Sequence, residues 1–222
     1  MLSRSGGAAT AEFHVVALLA VIPLCAAILQ TGLLLIANHQ VDLAAFMAAR
    51  AGAVAGGDAQ RMRQVFQAAL SPLLVRTSGG IDAGNVAGRV LAAQAAAAPA
   101  FALYSRIQVL GPGAEESADF AVQRQGRRVI PNDSLEWRSR RVGERSGISL
   151  QEANVLRIAA TWCHPLIVPL AAEMMIAALR RLDADPWHQL CYADRRVPVR
   201  SVALAPMQSD FVVRLASRGQ PP

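Results

Sequence analysis

Lysine is absent from this 222-residue sequence, and every strongly basic side chain is an arginine. Charged residues make up only 17% of the chain and aromatic residues 5%, whereas 53% of the residues are hydrophobic. Alanine, leucine and valine therefore carry most of the apolar content. The lack of lysine, together with the many alanines and glycines, is typical of a GC-rich coding sequence, so we attribute it to codon usage before function.

Motifs that signal catalysis or nucleotide binding are also missing. The sequence contains no nucleophile elbow, no Walker loop, no HExxH motif and no dinucleotide-binding fingerprint. The four histidines and the scattered carboxylates do not nominate a catalytic triad. We therefore predict no enzymatic activity, no catalytic residues and no cofactor, and a membrane-anchored periplasmic enzyme is the least favoured alternative.

One long uncharged run dominates the N-terminal region. Between Phe13 and Ala37 there is no Asp, Glu, Lys or Arg. At about 1.5 Å per residue, this run makes a helix of roughly 37 Å, which can cross a hydrocarbon core of about 30 Å with some tilt. Pro23 should kink this helix rather than end it, because membrane helices tolerate proline. We predict a transmembrane helix over residues 13–37, interrupted only by polar Gln30 and its neighbour.

A secretory signal peptide is the main alternative for this run. The apolar core of such a peptide is about 7–15 residues long and ends at a small-x-small cleavage site. Here the run is longer and polar residues follow it, so a retained anchor is favoured. Arg4 and the free amine place the N-terminus in the cytoplasm and the rest of the chain outside. The net charge of +6 therefore does not indicate nucleic acid, since nothing long remains on the cytoplasmic side.

The segment RSGGAATAEF, from Arg4 to Phe13, resembles the prepilin processing site of type IV-like pilins. In those proteins cleavage follows a glycine and a glutamate is the fifth residue of the mature chain. The resemblance implies cleavage between Gly7 and Ala8, which makes Glu12 the fifth residue. A carboxylate at the edge of an apolar helix is costly unless it is paired. The resemblance implies that Glu12 and Phe13 mediate subunit pairing, with the carboxylate on the α-amino group of a neighbouring subunit. The alternative is that Glu12 only interacts with the helix dipole.

Helical periodicity continues beyond the predicted span. Asn38–Val54 reads as an Ala-rich amphipathic helix that continues the span. Gly56-Gly57-Asp58 then ends this helix and caps a second one over Ala59–Leu70, which stops at Ser71-Pro72.

The run VDLAAFMAARAGAVAGGD resembles the post-membrane segment of the TadE/TadG family, pseudopilin-like proteins of tight-adherence (Flp-type) pilus systems. Members of that family combine a G-x4-E-F/Y processing site with a continuation rich in Ala, Arg and Gly. The resemblance covers residues 4–58. It departs at Pro23, which lies later in the span than is usual for the family, and at His14.

The remainder of the chain carries weaker patterns. Thr77–Gly88 reads as a loop, and Leu91–Ala102 reads as a helix broken by Pro99. Four segments have the character of short strands. They are Ser105–Leu110, Phe120–Gln125, Val155–Trp162 and Val197–Leu204.

We therefore predict an α+β fold. A long, pilin-like N-terminal helix, first transmembrane and then amphipathic, precedes a small extracytoplasmic domain with short antiparallel strands. The predicted division is a leader (1–7), a mature N-terminus (8–12), the span (13–37), a helical stalk (38–72) and an extracytoplasmic domain (73–222).

The segment 124–147 is rich in arginine, with seven arginines against three carboxylates. Such a segment could dock on an acidic partner subunit or on anionic lipid. A solvated, mobile loop is the commoner outcome and is favoured here.

Two of the three cysteines fall in the predicted exported part, where a disulfide can persist. A bridge between Cys163 and Cys191 would contribute roughly 3 kcal/mol. His164 and His188 could complete a zinc site with these cysteines. Adjacent residues on a strand point to opposite faces, however, so the Cys163-His164 pair is poor metal spacing. We favour the disulfide and predict no metal. Cys25, inside the span, is most simply a small apolar residue.

A second apolar stretch, Pro165–Leu182, is too short to cross a membrane, because its uncharged part ends at Ala172. It is better explained as an amphipathic helix that lies on the membrane or is buried in the head domain.

These features predict a TadE-like minor pilin or pseudopilin, a structural component of a type IV-like (tight-adherence) pilus or related secretion apparatus. It would lie in the bacterial inner membrane with a periplasmic C-terminal domain. The expected partners are prepilin peptidase, other pilin or pseudopilin subunits and the pilus assembly platform. The alternative is an uncleaved single-pass scaffold or adaptor of a secretion system, which binds through the arginine-rich segment and the 165–182 helix.

Overall fold

The computed structural model describes residues 8–73 and 86–213. Within these ranges the fold is α+β, as the sequence predicts, with one long apolar N-terminal helix and two small sheets. The predicted loop over Thr77–Gly88 lies mostly outside the described residues, and so does Gly7 of the predicted processing site.

The first described residues form a helix that runs from Ala8 without interruption to Val54, which we call the long helix. It consists of α1 (Ala8–Val16), a π-helical turn (Ala17–Val21) and α2 (Ile22–Val54). The π-helical turn ends at Val21, two residues before Pro23. The proline ring removes one backbone donor and crowds the carbonyl four residues earlier. Because a π-helical turn relocates the hydrogen bonds at such a point, the helix continues through the proline.

The remaining elements follow the long helix in chain order. They are α3 (Ala59–Leu70), a 3₁₀ turn (Ser71–Leu73), α4 (Val86–Tyr104), β1 (Ser105–Gly111), α5 (Ala114–Phe120), β2 (Val122–Arg124), β3 (Arg127–Ile130), a 3₁₀ turn (Leu135–Trp137), α6 (Leu150–Ala153), β4 (Val155–Pro165), α7 (Pro169–Leu182), α8 (Pro186–Ala193), β5 (Arg196–Pro206) and β6 (Phe211–Val212). One sheet has the order β1-β4-β5 and the other β2-β3-β6. The pairs β1–β4, β2–β3 and β3–β6 are antiparallel.

Several elements agree with the sequence-based expectations. Helix α3 has the expected bounds, and the Asp58 side chain caps it by accepting a hydrogen bond of 2.9 Å from the N–H of Arg61. Strands β1, β4 and β5 coincide with three expected strands, whereas β2 is shorter than expected because Phe120 ends α5. The short elements α5, α6, α8, β3 and β6 were not predicted.

Helix α4 differs from the expectation, because it continues through Pro99 instead of breaking there. Proline removes a single donor, and most of its neighbours in α4 are alanines, which have the highest helix propensity. Phe101 also anchors the end of the helix: it is buried, and its ring centroid lies 5.0 Å from that of Trp162.

The chain divides into two compact units. The first unit contains the described residues up to Ala37 together with Cys163–Pro198, and the second contains Asn38–Trp162 together with the residues from Val199 onward. The hydrophobic core of the second unit includes large buried side chains from α2, α3, β3 and β4. They are Val41, Met62, Phe66, Leu70, Ile130, Leu156, Ile158 and Trp162.

Small residues line the buried face of α2 in the second unit. Ala44, Ala45, Ala48 and Ala49 are fully buried. A Cβ atom added at Gly52 would lie 2.5 Å from Sδ of Met62 in α3. These small side chains allow close packing, and a larger residue at Gly52 would force the core to rearrange.

We predict that Gly57→Ala destabilises the second unit more than Gly126→Ala does. Both glycines have positive φ, 79° and 76°. Backbone strain should therefore lower the free energy of unfolding by about 1–2 kcal/mol in either variant. A Cβ at Gly57 would also collide with the ring of Phe211, whereas nothing lies within 4 Å at Gly126. Overpacking should add about 1–3 kcal/mol for Gly57→Ala alone.

The measurement is denaturant unfolding of the full chain in detergent, followed by tryptophan fluorescence. Equal losses of stability in the two variants would contradict the close packing of the Gly57 turn on Phe211.

Candidate functional site

The long helix exposes most of its large apolar side chains between Phe13 and Ile36. Their exposed fractions range from 51% to 76%. They are Phe13, Val15, Val16, Leu18, Leu19, Val21, Ile22, Leu24, Ile28, Leu29, Leu35 and Ile36. An apolar surface of this extent marks a site of contact with a membrane or another protein. The described part of the helix from Glu12 is 43 residues long and apolar enough to span a bilayer, consistent with a single-pass membrane protein.

The residues of the predicted processing and pairing site lie at the start of this helix. Ala8 is already helical, and the side chains of Glu12 and Phe13 are exposed. The Phe13 ring meets His14 edge-on, with a centroid distance of 5.9 Å. Within the described residues, no hydrogen bond or ion pair engages Glu12. Its carboxylate therefore lacks an intramolecular partner there, a condition that pairing between subunits would require.

Gln30 is the polar residue of the apolar run that is fully buried. Its Oε1 accepts hydrogen bonds from the backbone N–H groups of Ile167, at 3.2 Å, and Val168, at 2.9 Å. These two residues directly precede α7. The N–H groups at the start of a helix have no partner within the helix itself. Gln30 therefore anchors the segment that leads into α7 from a distant position in the sequence. The hydroxyl of Thr31, by contrast, donates to Ala27 of its own helix.

A disulfide between Cys163 and Cys191 joins the end of β4 to α8, with a Cα–Cα distance of 5.7 Å. The sequence predicts this pairing in preference to a zinc site. Beside it, His164 is buried, and its burial, together with the charge of Arg196, lowers the pKa of the imidazole. His164 is therefore neutral at neutral pH.

Asp183 connects α7 to α8. One carboxylate oxygen accepts a hydrogen bond of 3.0 Å from the backbone N–H of Asp185. The other oxygen accepts a hydrogen bond of 2.8 Å from the hydroxyl of Tyr192. The same oxygen lies 2.7 Å from Nδ1 of His188. These contacts, led by the Asp185 N–H, hold the pKa of Asp183 below its usual value of 3.8. Burial, reinforced by the Asp183 contact, raises the pKa of Tyr192, so the phenol stays a donor.

The arginine-rich segment contains a β2–β3 hairpin and an ordered ion-pair network. Arg124 contacts Asp133 at 2.9 Å and Asp210 at 3.1 Å, and Arg138 contacts Asp133 at 3.0 Å. Arg128 donates to a backbone carbonyl in α5. Part of the positive charge is thus compensated within the second unit, although pairs this exposed contribute little to stability.

Two of these residues were not identified from the sequence. Gln30 was treated as an interruption of the span, although an amide in an uncharged run is costly in lipid unless it is bonded. That cost is the signal that points to a partner. Asp183 gave no such signal, because its partners come together only after α7 and α8 have formed.

No protein-family model, characterised protein or solved structure matches this chain. The resemblance to the TadE/TadG family therefore rests on residues 4–58 of the sequence, and the site is interpreted from its own geometry.

We predict that Asp183→Asn lowers stability near neutral pH and has progressively less effect as the pH falls below about 4. The folded-state pKa of Asp183 is lowered, so its stabilising contribution is complete above the usual value of 3.8 and is lost as the pH falls through the folded-state value. Loss of one such hydrogen-bonded group should cost about 1 kcal/mol, or roughly 2–4 °C in Tm for a chain of this size.

Thermal unfolding between neutral pH and pH 3 provides the measurement. Glu144→Gln is the matched control, since Glu144 is exposed and has no hydrogen bond or ion pair within the described residues. An Asp183→Asn effect as large at pH 3 as at pH 7 would contradict this assignment.

Proposed function

We propose that this chain is a TadE-like minor pilin or pseudopilin, a structural subunit of a type IV-like (tight-adherence) pilus or related secretion apparatus. The observation that carries the proposal is the exposed apolar surface of the long helix, with Glu12 and Phe13 exposed at its N-terminal end. Such a surface suits both a bilayer and the core of a filament, since either environment covers it with apolar groups.

Processing would prepare this helix for assembly. Cleavage by prepilin peptidase after Gly7 would remove Arg4 and create a new α-amino group on Ala8. Glu12 lies about one helical turn further along. In apolar surroundings an unpaired carboxylate is strongly disfavoured, whereas a carboxylate paired with the amine of a neighbouring subunit is tolerated. This difference would select one stagger between subunits.

The same proposal places the chain in the bacterial inner membrane, with its N-terminus in the cytoplasm and the C-terminal part in the periplasm. Arg4 supports this orientation. The disulfide between Cys163 and Cys191 supports it as well, because disulfides persist in the oxidising periplasm.

An uncleaved single-pass scaffold or adaptor is the second candidate. The side chains of Arg127, Arg140 and Arg141 are exposed and make no hydrogen bond or ion pair within the described residues, which favours an acidic docking partner. Both candidates give the chain a structural role rather than a catalytic one.

The test is N-terminal sequencing of the protein isolated from its native host, combined with co-purification of pilus subunits. We expect a mature chain that starts at Ala8, and Gly7→Val should retain the leader. Glu12→Ala should be processed but should no longer co-purify with other subunits, because it lacks the carboxylate that pairs with the neighbouring amine.

Two variants serve as controls. Gly6→Val leaves the glycine at the cleaved bond in place, and Glu115→Ala removes an exposed carboxylate far from the processing site in sequence. A start at Met1 or Leu2 with active peptidase present would contradict the pilin proposal and favour the scaffold. Normal assembly of Glu12→Ala would exclude the pairing mechanism even if cleavage occurs.

A further inference from the structure

We propose that α7 lies in the membrane surface at the end of the span distant from the N-terminus, at a depth fixed by Gln30. The partner of its exposed face is the lipid bilayer itself. This inference goes beyond the proposed function: it requires the membrane span, but neither cleavage after Gly7 nor pairing through Glu12.

The first observation is the exposure pattern along α7. An apolar stripe on one face is open, with exposed fractions between 46% and 83%, and consists of Leu170, Met174 and Leu182, preceded by Ile167. The opposite face is buried through Ala172 and Ile176, and Ala171 at the edge of the stripe is buried as well. The helix is thus packed on one side and bare on the other. Of the two placements that the sequence left open, complete burial in a head domain does not fit this pattern.

The second observation is the position of Gln30 along the long helix. At about 1.5 Å per residue, Gln30 lies about 26 Å from Phe13, so it comes close to the far boundary of a hydrocarbon core of about 30 Å. Its hydrogen bonds to Ile167 and Val168 hold the start of α7 at the same level. Amphipathic interfacial helices insert their apolar face about 5–10 Å into the boundary between headgroups and acyl chains. The depth of Gln30 below the far boundary of the hydrocarbon core is therefore similar to the depth at which interfacial helices insert.

The hydrogen bonds themselves also suit this environment. Water can satisfy the free N–H groups at the start of a surface helix, but in the hydrocarbon region an unsatisfied N–H group costs several kcal/mol. The Gln30 oxygen supplies the missing acceptor from within the span. A polar side chain in the apolar run thus lies where the start of α7 needs a hydrogen-bond acceptor.

The charged groups of α7 are compatible with lipid headgroups. Glu173 is paired with Arg195 at 2.8 Å, which neutralises the acidic group on the exposed side. Arg181 is exposed in the last turn, where its long side chain can extend to lipid phosphates. The exposed face thus combines an apolar stripe with a basic end.

The experiment uses the full chain, labelled with ¹³C-methyl methionine and reconstituted in nanodiscs of phosphatidylcholine and phosphatidylglycerol. Methyl NMR signals are compared in the presence of a lipid with a nitroxide near the top of its acyl chain and of a water-soluble gadolinium chelate. Met174, which is 63% exposed, should lose most of its signal to the lipid nitroxide and keep it with the chelate. Met62, buried in the second unit, should keep its signal in both.

Gln30→Leu removes the acceptor and should weaken the effect of the lipid nitroxide on Met174. Thr31→Val is the matched control, because it makes a similar polar-to-apolar change at the next residue, whose hydroxyl bonds only its own helix. An unchanged Met62 signal shows that the second unit remains folded in each variant.

The wild-type measurement decides the inference without relying on either variant. Loss of the Met174 signal to the chelate rather than to the nitroxide, in a chain that co-elutes with nanodiscs, would overturn the interfacial placement and leave the span and the proposed function standing. Failure of the chain to enter nanodiscs would contradict both this inference and the proposed function.

Discussion

In the first part of the long helix the large apolar side chains are left uncovered by the chain that carries them. Water disfavours such a surface in proportion to its area, so a second apolar phase has to cover it. The same helix changes character further along, where Ala44, Ala45, Ala48 and Ala49 are fully buried in a protein core. Large exposed residues followed by small buried ones distinguish a half that is suited to lipid from a half that packs in a protein core within one continuous helix.

The apolar surface also constrains the polar groups near it, because such groups are costly there unless they are hydrogen-bonded or paired. Gln30 is buried and bonded to the start of α7, while Thr31 bonds its own helix. The π-helical turn before Pro23 lets the backbone pass a missing donor without ending the helix. Glu12, at the N-terminal end of the apolar surface, has no hydrogen bond or ion pair within the described residues, and we propose that a neighbouring subunit provides a partner.

Local signals in the sequence predict local structure well. The Asp58 cap placed α3 correctly, because the side chain and the N–H that it binds are three residues apart. The predicted break of α4 at Pro99 was wrong, because Phe101 is buried against Trp162 in a tertiary contact that the local sequence pattern does not contain. The hydrogen bonds between Gln30 and the segment before α7 were not predicted for the same reason: their donors are 137 and 138 positions away. For Glu12 the sequence supplies a motif, and pairing depends on a second chain.

The central claim is that lipid covers the exposed surface of the long helix, and Cys25 tests it most directly. This cysteine is free and exposed on that surface, while the other two are joined in a disulfide. A charged, water-soluble reagent does not enter the hydrocarbon core, so it cannot reach a thiol that is surrounded by lipid. In native membranes, a membrane-impermeant maleimide should leave Cys25 unmodified until the membranes are dissolved in SDS. Labelling in intact membranes as fast as in SDS would contradict the account.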